Sequence, residues 1–216
     1  MTAWSSLAWR ETSEIIDKIT AHPFLTGLIN GSLPKEKFNH FARQNCLYLF
    51  GMCRALGALS SRCADVDHAE SFLTLAVDTA SIKQALHSSF TPEERAGLSA
   101  APACLSFVSY LHAMAFTAPL ETAVAVLASC FWVKEKICDH IRDLDIRADN
   151  PYSEWVSLFN LDGYHQAVAR AVGIADEMAE TSSETARNEM THAFRRSTQL
   201  HWMFFDSSWR MEQWPV

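Results

Sequence analysis

Glycine and proline are scarce in this chain, seven of each in 216 residues. They fall between segments of helical apolar period, and alternating strand-like runs bounded by turn residues are absent. That pattern belongs to an all-helical protein and excludes a β-sandwich or barrel. No stretch approaches the ~18–20 uninterrupted apolar residues of a membrane span. The first twenty residues, MTAWSSLAWRETSEIIDKIT, lack a basic start followed by an apolar run, so no signal peptide is expected. Basic residues are few: 18 Lys and Arg stand against 25 Asp and Glu, for a net charge of -7. Arg195–Arg196 is the only basic doublet. Nucleic acid is thereby excluded as a main partner, because phosphate binding needs a basic face. The six cysteines (46, 53, 63, 104, 130 and 138) form no CxxC pair. They are expected to be reduced thiols of a cytoplasmic protein, most of them small core hydrophobes. A glycine-rich phosphate loop, a G-x-S-x-G elbow and an H-E-x-x-H pair are all missing.

What remains is helical punctuation around an ordinary apolar fraction of 49%, enough for one domain over residues 1–216 with a substantial core. A first helix is expected over about 4–20. AHPFLTGLINGSLP then reads as a linker broken by Pro23, Gly27, Gly31 and Pro34. A long helix follows to about 63–65. Asp67, with Glu70 three residues on, reads as the capping box of the next helix, which runs to about 89. TPEE at 91–94 opens a short helix on another box, with Pro92 at the first helical position. Further helices are expected over about 101–116, 119–145, a short piece ending near 160, and 162–180. Thr181 with Glu184 reads as the cap of a last helix to about 211. The total is eight or nine helices with short connections.

The stretch FARQNCLYLFGMCR, residues 41–54, holds the first functional clue. Asn45, Tyr48 and Met52 share one helix face, flanked there by apolar Phe41, Leu49 and Leu56. An amide and a phenol therefore look toward the core. Leaving such groups unanswered costs about 1–3 kcal/mol each, so either a buried side chain or a small polar ligand answers them. Cys130 lies in the apolar stripe Val126, Cys130, Val133, Ile137 of LETAVAVLASCFWVKEKI. A thiol there is packing material unless a base or cation lowers its pKa, and His201, in STQLHWMFFD, is the candidate base. Spacing alone does not bring the two together. A di-iron site of Glu-x-x-His pairs is matched once, by Glu189 and His192. His192 is nine residues before His201, half a turn out of phase, so an inward His201 turns that pair to water. No metal site is expected.

HPFLTGLINGSLPKEKFNHFARQNCLYL resembles the N-terminal signature of the TenA/THI-4 family, HPF-x-x-G, then LP-x-x-x-F, then Q-D-x-x-Y-L. ASCFW is similar to that family's cysteine helix, PYSEWVSLF to its Y-x-x-W-I-x-x-Y segment, and the helix bearing His201 and Trp202 to its closing segment. The resemblance spans nearly the whole chain in the right order. It implies an all-α, heme-oxygenase-like multi-helix bundle without heme, requiring no cofactor and assembled as a homotetramer. It implies an activity like that of thiaminase II, hydrolysis of a C–N bond on thiamine or related aminopyrimidines, and a small heterocyclic substrate. By position, Cys130 matches the nucleophile and Tyr48 a pocket tyrosine. Asn45 stands where the family has an aspartate, Phe107 and Phe159 where it has tyrosines, and His201 where it has a glutamate. The expected site is thus Cys130 and His201 for catalysis, with Asn45, Tyr48, Met52, Phe107 and Phe159 around the substrate. Asn45 both donates and accepts where aspartate only accepts. The phenylalanines keep the stacking surface and lose two hydroxyls. Beside Cys130, His201 could form a thiolate–imidazolium pair, and the sequence leaves the ionisation state of Cys130 open. An altered substrate preference follows, or a family member that binds a small aromatic ligand without turning it over.

Overall fold

The structure, a computed structural model, describes residues 3–88, 90–142, 144, 146, 149–157 and 164–216. Among these residues are ten helices and no strand. They are α1 (Trp4–Thr20), α2 (Pro23–Asn30), α3 (Lys35–Arg62), α4 (Val66–Ser88), α5 (Pro92–Ala96), α6 (Pro102–Thr117), α7 (Leu120–Arg142), α8 (Ser153–Ser157), α9 (Tyr164–Thr181) and α10 (Glu184–Arg210).

The bundle is built around α7. Every residue from Thr122 to Phe131 is buried, as a helix apolar on all sides demands. α10 and α9 run along it, α6, α3 and α1 touch its other faces, and α4 packs mainly on α3. Where α3 crosses α6 the backbones come very close. A Cβ on Gly51 would stand 2.6 Å from Val108 Cγ1, so only glycine fits there. Arg62, at the end of α3, donates to the carbonyls of Ala115 (2.7 Å) and Ala118 (2.5 Å) and closes the C-terminus of α6.

Three local expectations need correction. The linker after α1 contains the helix α2. Pro23 sits at its first position, and the His22 ring accepts from the Phe24 amide at 3.1 Å, so the residues read as breakers in fact start a helix. Its stop is Gly31 at φ 79°. The cap of α4 is Asp65, whose carboxylate accepts from the His68 amide at 2.9 Å; Asp67 already lies inside the helix. The cap of α10 is Ser183, accepting from Ala186 N at 3.2 Å, whereas the Thr181 hydroxyl turns back to Met178 O. The box at Thr91 and Glu94 forms as read.

One clamp joins segments far apart in sequence. Asn150 donates to the carbonyls of Leu28 (3.0 Å) and Ile29 (2.8 Å) at the end of α2, and accepts from Tyr152 N at 2.8 Å. The Tyr152 hydroxyl donates to Leu33 O at 2.5 Å. Asn150 and Tyr152 are both buried, so the clamp fixes α8, and Trp155 within it, against the start of α3.

Candidate active site

Between α3, α6, α7, α8 and α10 lies a chamber of about 140 Å³. Phe41, Phe107, Trp155, Phe204 and Phe205 supply most of its wall. Its polar groups are few: Asn45 and Tyr48 from α3, Cys130 and Lys134 from α7, and His201 from α10. An enclosed apolar cavity of about 150 Å³ accommodates a benzene ring, so this chamber has room for one flat ring. Most of the expected site is therefore brought to one place. The exceptions are Met52 and Phe159. Met52 is buried on the wall of an adjoining cavity, which also borders Cys130. Phe159 lies outside the described residues.

The aromatic walls hold the polar groups edge to face. The Phe107 ring stands 4.6 Å from the His201 ring at 76°, and Tyr48 packs on Phe107 at 5.0 Å and on Phe204 at 5.5 Å. Phe41 stacks nearly parallel on Phe205 at 6.0 Å and meets Trp155 edge-on at 5.3 Å. Asn45 is half-buried, and its side-chain amide makes no hydrogen bond with the described residues. Its neighbour Gln44 faces the other way, where it accepts from Ala101 N (2.8 Å) and donates to Ser99 O (3.0 Å).

Burial works against a thiolate–imidazolium pair in the free protein. Cys130 is only 4% exposed, and burial pushes its thiol up to about 11. Hydrogen bonds from Ser197, Tyr48 and Ser129 oppose that rise without cancelling it. The thiol donates to Val126 O at 3.4 Å, with Ser197 Oγ 3.5 Å from the sulfur. Burial likewise holds the His201 ring down at about 4. His201 Nδ1 donates to Ser197 O at 3.2 Å, which fixes the tautomer and leaves Nε2 with its lone pair. Burial favours the neutral form of each group, since an ion pair in hydrocarbon is costly without further partners.

Lys134 escaped the sequence reading. It lies one turn beyond Cys130 on the same face of α7, and that spacing was the available signal. Burial pulls its ammonium down from the usual lysine range. Glu189 and His192 are both exposed while His201 is buried, as the phase of α10 requires.

The bundle thus brings a thiol, an imidazole, an amide and a phenol to the wall of one ring-sized aromatic chamber. The chain belongs to the TENA/THI-4/PQQC family, whose model matches residues 9–211. It is 26% identical over 202 residues to an aminopyrimidine aminohydrolase of Bacillus subtilis, covering 89% of this chain and 84% of that one. To an aminopyrimidine aminohydrolase of Halalkalibacterium halodurans it is 27% identical, covering 89% of each. A TenA homologue from P. horikoshii superposes with a TM-score of 0.85 at 25% identity, over 97% of this chain and 99% of the other. A Shewanella denitrificans domain described as having a heme oxygenase-like fold superposes with a TM-score of 0.68 at 14% identity, over 96% of this chain and 92% of the other. The fold is thus the all-α, heme-oxygenase-like bundle. No helix among the described residues is long and apolar enough to cross a membrane.

Proposed function

We propose that this protein hydrolyses a C–N bond on a thiamine-related aminopyrimidine or a similar small heterocycle. The observation that carries the reading is the convergence of Cys130, His201, Asn45 and Tyr48 on one ring-sized chamber. Membership of the family and the named activities of the two bacterial relatives support it.

In this reading the ring enters between Phe107 and the aromatic wall. Asn45 and Tyr48 hydrogen-bond its edge and set its orientation. The Cys130 sulfur adds to the ring while His201 Nε2 takes the thiol proton in the same step, since no thiolate stands ready. With an aminomethyl substrate the resulting imidazolium gives that proton to the departing amine as the C–N bond breaks; with thiamine the thiazole leaves as a neutral base and the proton is released to water. Water then adds at the freed carbon and the sulfur leaves. The balance is one water consumed and a C–O bond formed, with an N–H bond formed on the departing amine or, from thiamine, one proton released. The reaction needs no cofactor, and the same reading takes the protein to be a cytoplasmic homotetramer. Purified protein supplied with thiamine and with aminomethyl-aminopyrimidine is expected to release hydroxymethyl-aminopyrimidine. Undiminished turnover in Cys130→Ala overturns the mechanism.

One observation favours a second reading, a family member that binds a flat ligand without cleaving it. The thiol at about 11 and the imidazole at about 4 are both far from a reactive state. Ligand-induced thermal stabilisation with no product formed under any condition selects that reading.

A further inference from the structure

Val126, one turn before Cys130 on α7, has a crowded carbonyl. As the i−4 acceptor of the helix it takes the Cys130 amide, and Ser129 Oγ donates to it at 2.8 Å. Two further donors reach the same oxygen from farther away, Cys130 Sγ at 3.4 Å and Ser197 Oγ at 3.5 Å. A carbonyl oxygen has two lone pairs, so it cannot serve all four. The two long contacts are the ones left short. At 3.5 Å the Ser197 contact lies well beyond the ordinary range of about 2.5–3.0 Å for a hydroxyl donor.

Ser197 is fully buried, and its hydroxyl also stands 3.5 Å from the Cys130 sulfur. Rotation about one bond therefore decides whether its proton points at the carbonyl or at the sulfur. A neutral thiol is a weak acceptor, and the carbonyl wins. Once charge gathers on the sulfur the order reverses, because a hydrogen bond to an ion is roughly twice as strong as one between neutral groups. The backbone of the same residue reaches the second catalytic group, since Ser197 O accepts from His201 Nδ1 at 3.2 Å. One residue of α10 thus touches the thiol through its side chain and the imidazole through its carbonyl. We infer that Ser197 is a positioning residue of the reaction: its hydroxyl turns from Val126 O to the Cys130 sulfur as that sulfur loses its proton, while its carbonyl holds His201 with Nε2 free to take the proton. The inference rests on the hydrolase reading above. Ser197 keeps its own proton, and no covalent bond to it forms or breaks. A contact that strengthens only as charge develops lowers the barrier without tightening the hold on substrate. Among the groups that oppose the effect of burial on the thiol, Ser197 acts most strongly.

Ser197→Ala tests this. It removes the hydroxyl, keeps the carbonyl and the helix, and leaves no buried polar atom without a partner, so the fold is retained and a thermal melt checks it. The thiolate absorbance of Cys130, read against Cys130→Ser in the same background, is expected to show about tenfold less thiolate at a given pH than in wild type, a rise of about one unit in the midpoint. Tyr48 of α3, Tyr110 of α6, Lys134 of α7 and His201 of α10 are the titratable groups around the sulfur among the described residues, and all four stay in place in this comparison. With aminomethyl-aminopyrimidine as substrate, kcat should fall about tenfold while KM stays within about threefold. Ser129→Ala, which removes the donor at 2.8 Å from Val126 O, should move both readings less. An unmoved midpoint in Ser197→Ala overturns the inference. So does a raised midpoint with kcat unchanged, or a loss that appears in KM alone. Absence of turnover in the wild-type protein overturns the hydrolase reading instead; the titration, run without substrate, still reads the contact between hydroxyl and sulfur.

Discussion

Burial favours the thiol form of Cys130 in the free protein, and its titration is the most direct check on the site. The sulfur is 4% exposed, and its pKa stands at about 11 against an ordinary 9.0. Two units correspond to a hundredfold smaller thiolate fraction, about 3 kcal/mol, and leave roughly one molecule in ten thousand ionised at pH 7. Ser197 is the hydrogen-bond partner that most favours the thiolate, and Tyr48 and Ser129 contribute less. Cys104 and Cys138 are also buried and raised, to about 12 and about 11, so total absorbance cannot separate the thiols. The thiolate ultraviolet absorbance of wild type minus that of Cys130→Ser isolates this group. Its rise is expected to be centred near pH 11. A difference spectrum already fully developed at pH 7 refutes the reasoning, because it requires a cation close enough to the sulfur to outweigh its burial. If instead the midpoint falls when hydroxymethyl-aminopyrimidine is added, the ring itself alters the environment of the thiol.

His201 makes the opposite contribution on the acid side. Its folded pKa of about 4 lies below the ordinary 6.5, so its stabilising effect is whole above pH 6.5 and is lost as pH falls through 4. Wild type should lose about 3 kcal/mol more than His201→Gln between pH 7 and pH 4 in urea unfolding, and parallel curves would falsify this. Gly51→Ala should cost about 1–3 kcal/mol through the clash with Val108, and Val108→Ala in the same chain should restore most of the loss in a thermal melt. Asn150→Ala breaks a buried three-bond clamp and should destabilise by about 3 kcal/mol; an unchanged melting temperature would show that the end of α2 holds without it.

Much of the fold is legible residue by residue. The scarcity of glycine and proline, the apolar period and the capping boxes place nine of the ten helices to within a few residues. α2 was obscured because Pro23 and Gly27 look like breakers. In the folded chain Pro23 begins a helix, and Gly27 makes room for Leu33, whose Cα would stand 3.2 Å from an added Cβ. The misplaced caps at Asp67 and Thr181 have a shared cause. Two oxygen-bearing residues within a turn compete for the same free amides, and only backbone geometry decides between them.

For the site, local period was sufficient to put Asn45 and Tyr48 on one face of α3, and Cys130 on the stripe of α7, because 3.6 residues per turn is a property of the backbone alone. The sequence by itself also determined that Glu189 and His192 face away from His201. Only the packing of α3, α6, α7, α8 and α10 decided that these faces meet around one hollow, that Gln44 turns from it, and that Lys134 stands between two cavities. Packing also decided the charge of the site. The sequence offers a thiol and an imidazole and suggests an ion pair. Whether they ionise depends on how much water remains around them, and that is set by aromatic rings from helices distant in the chain.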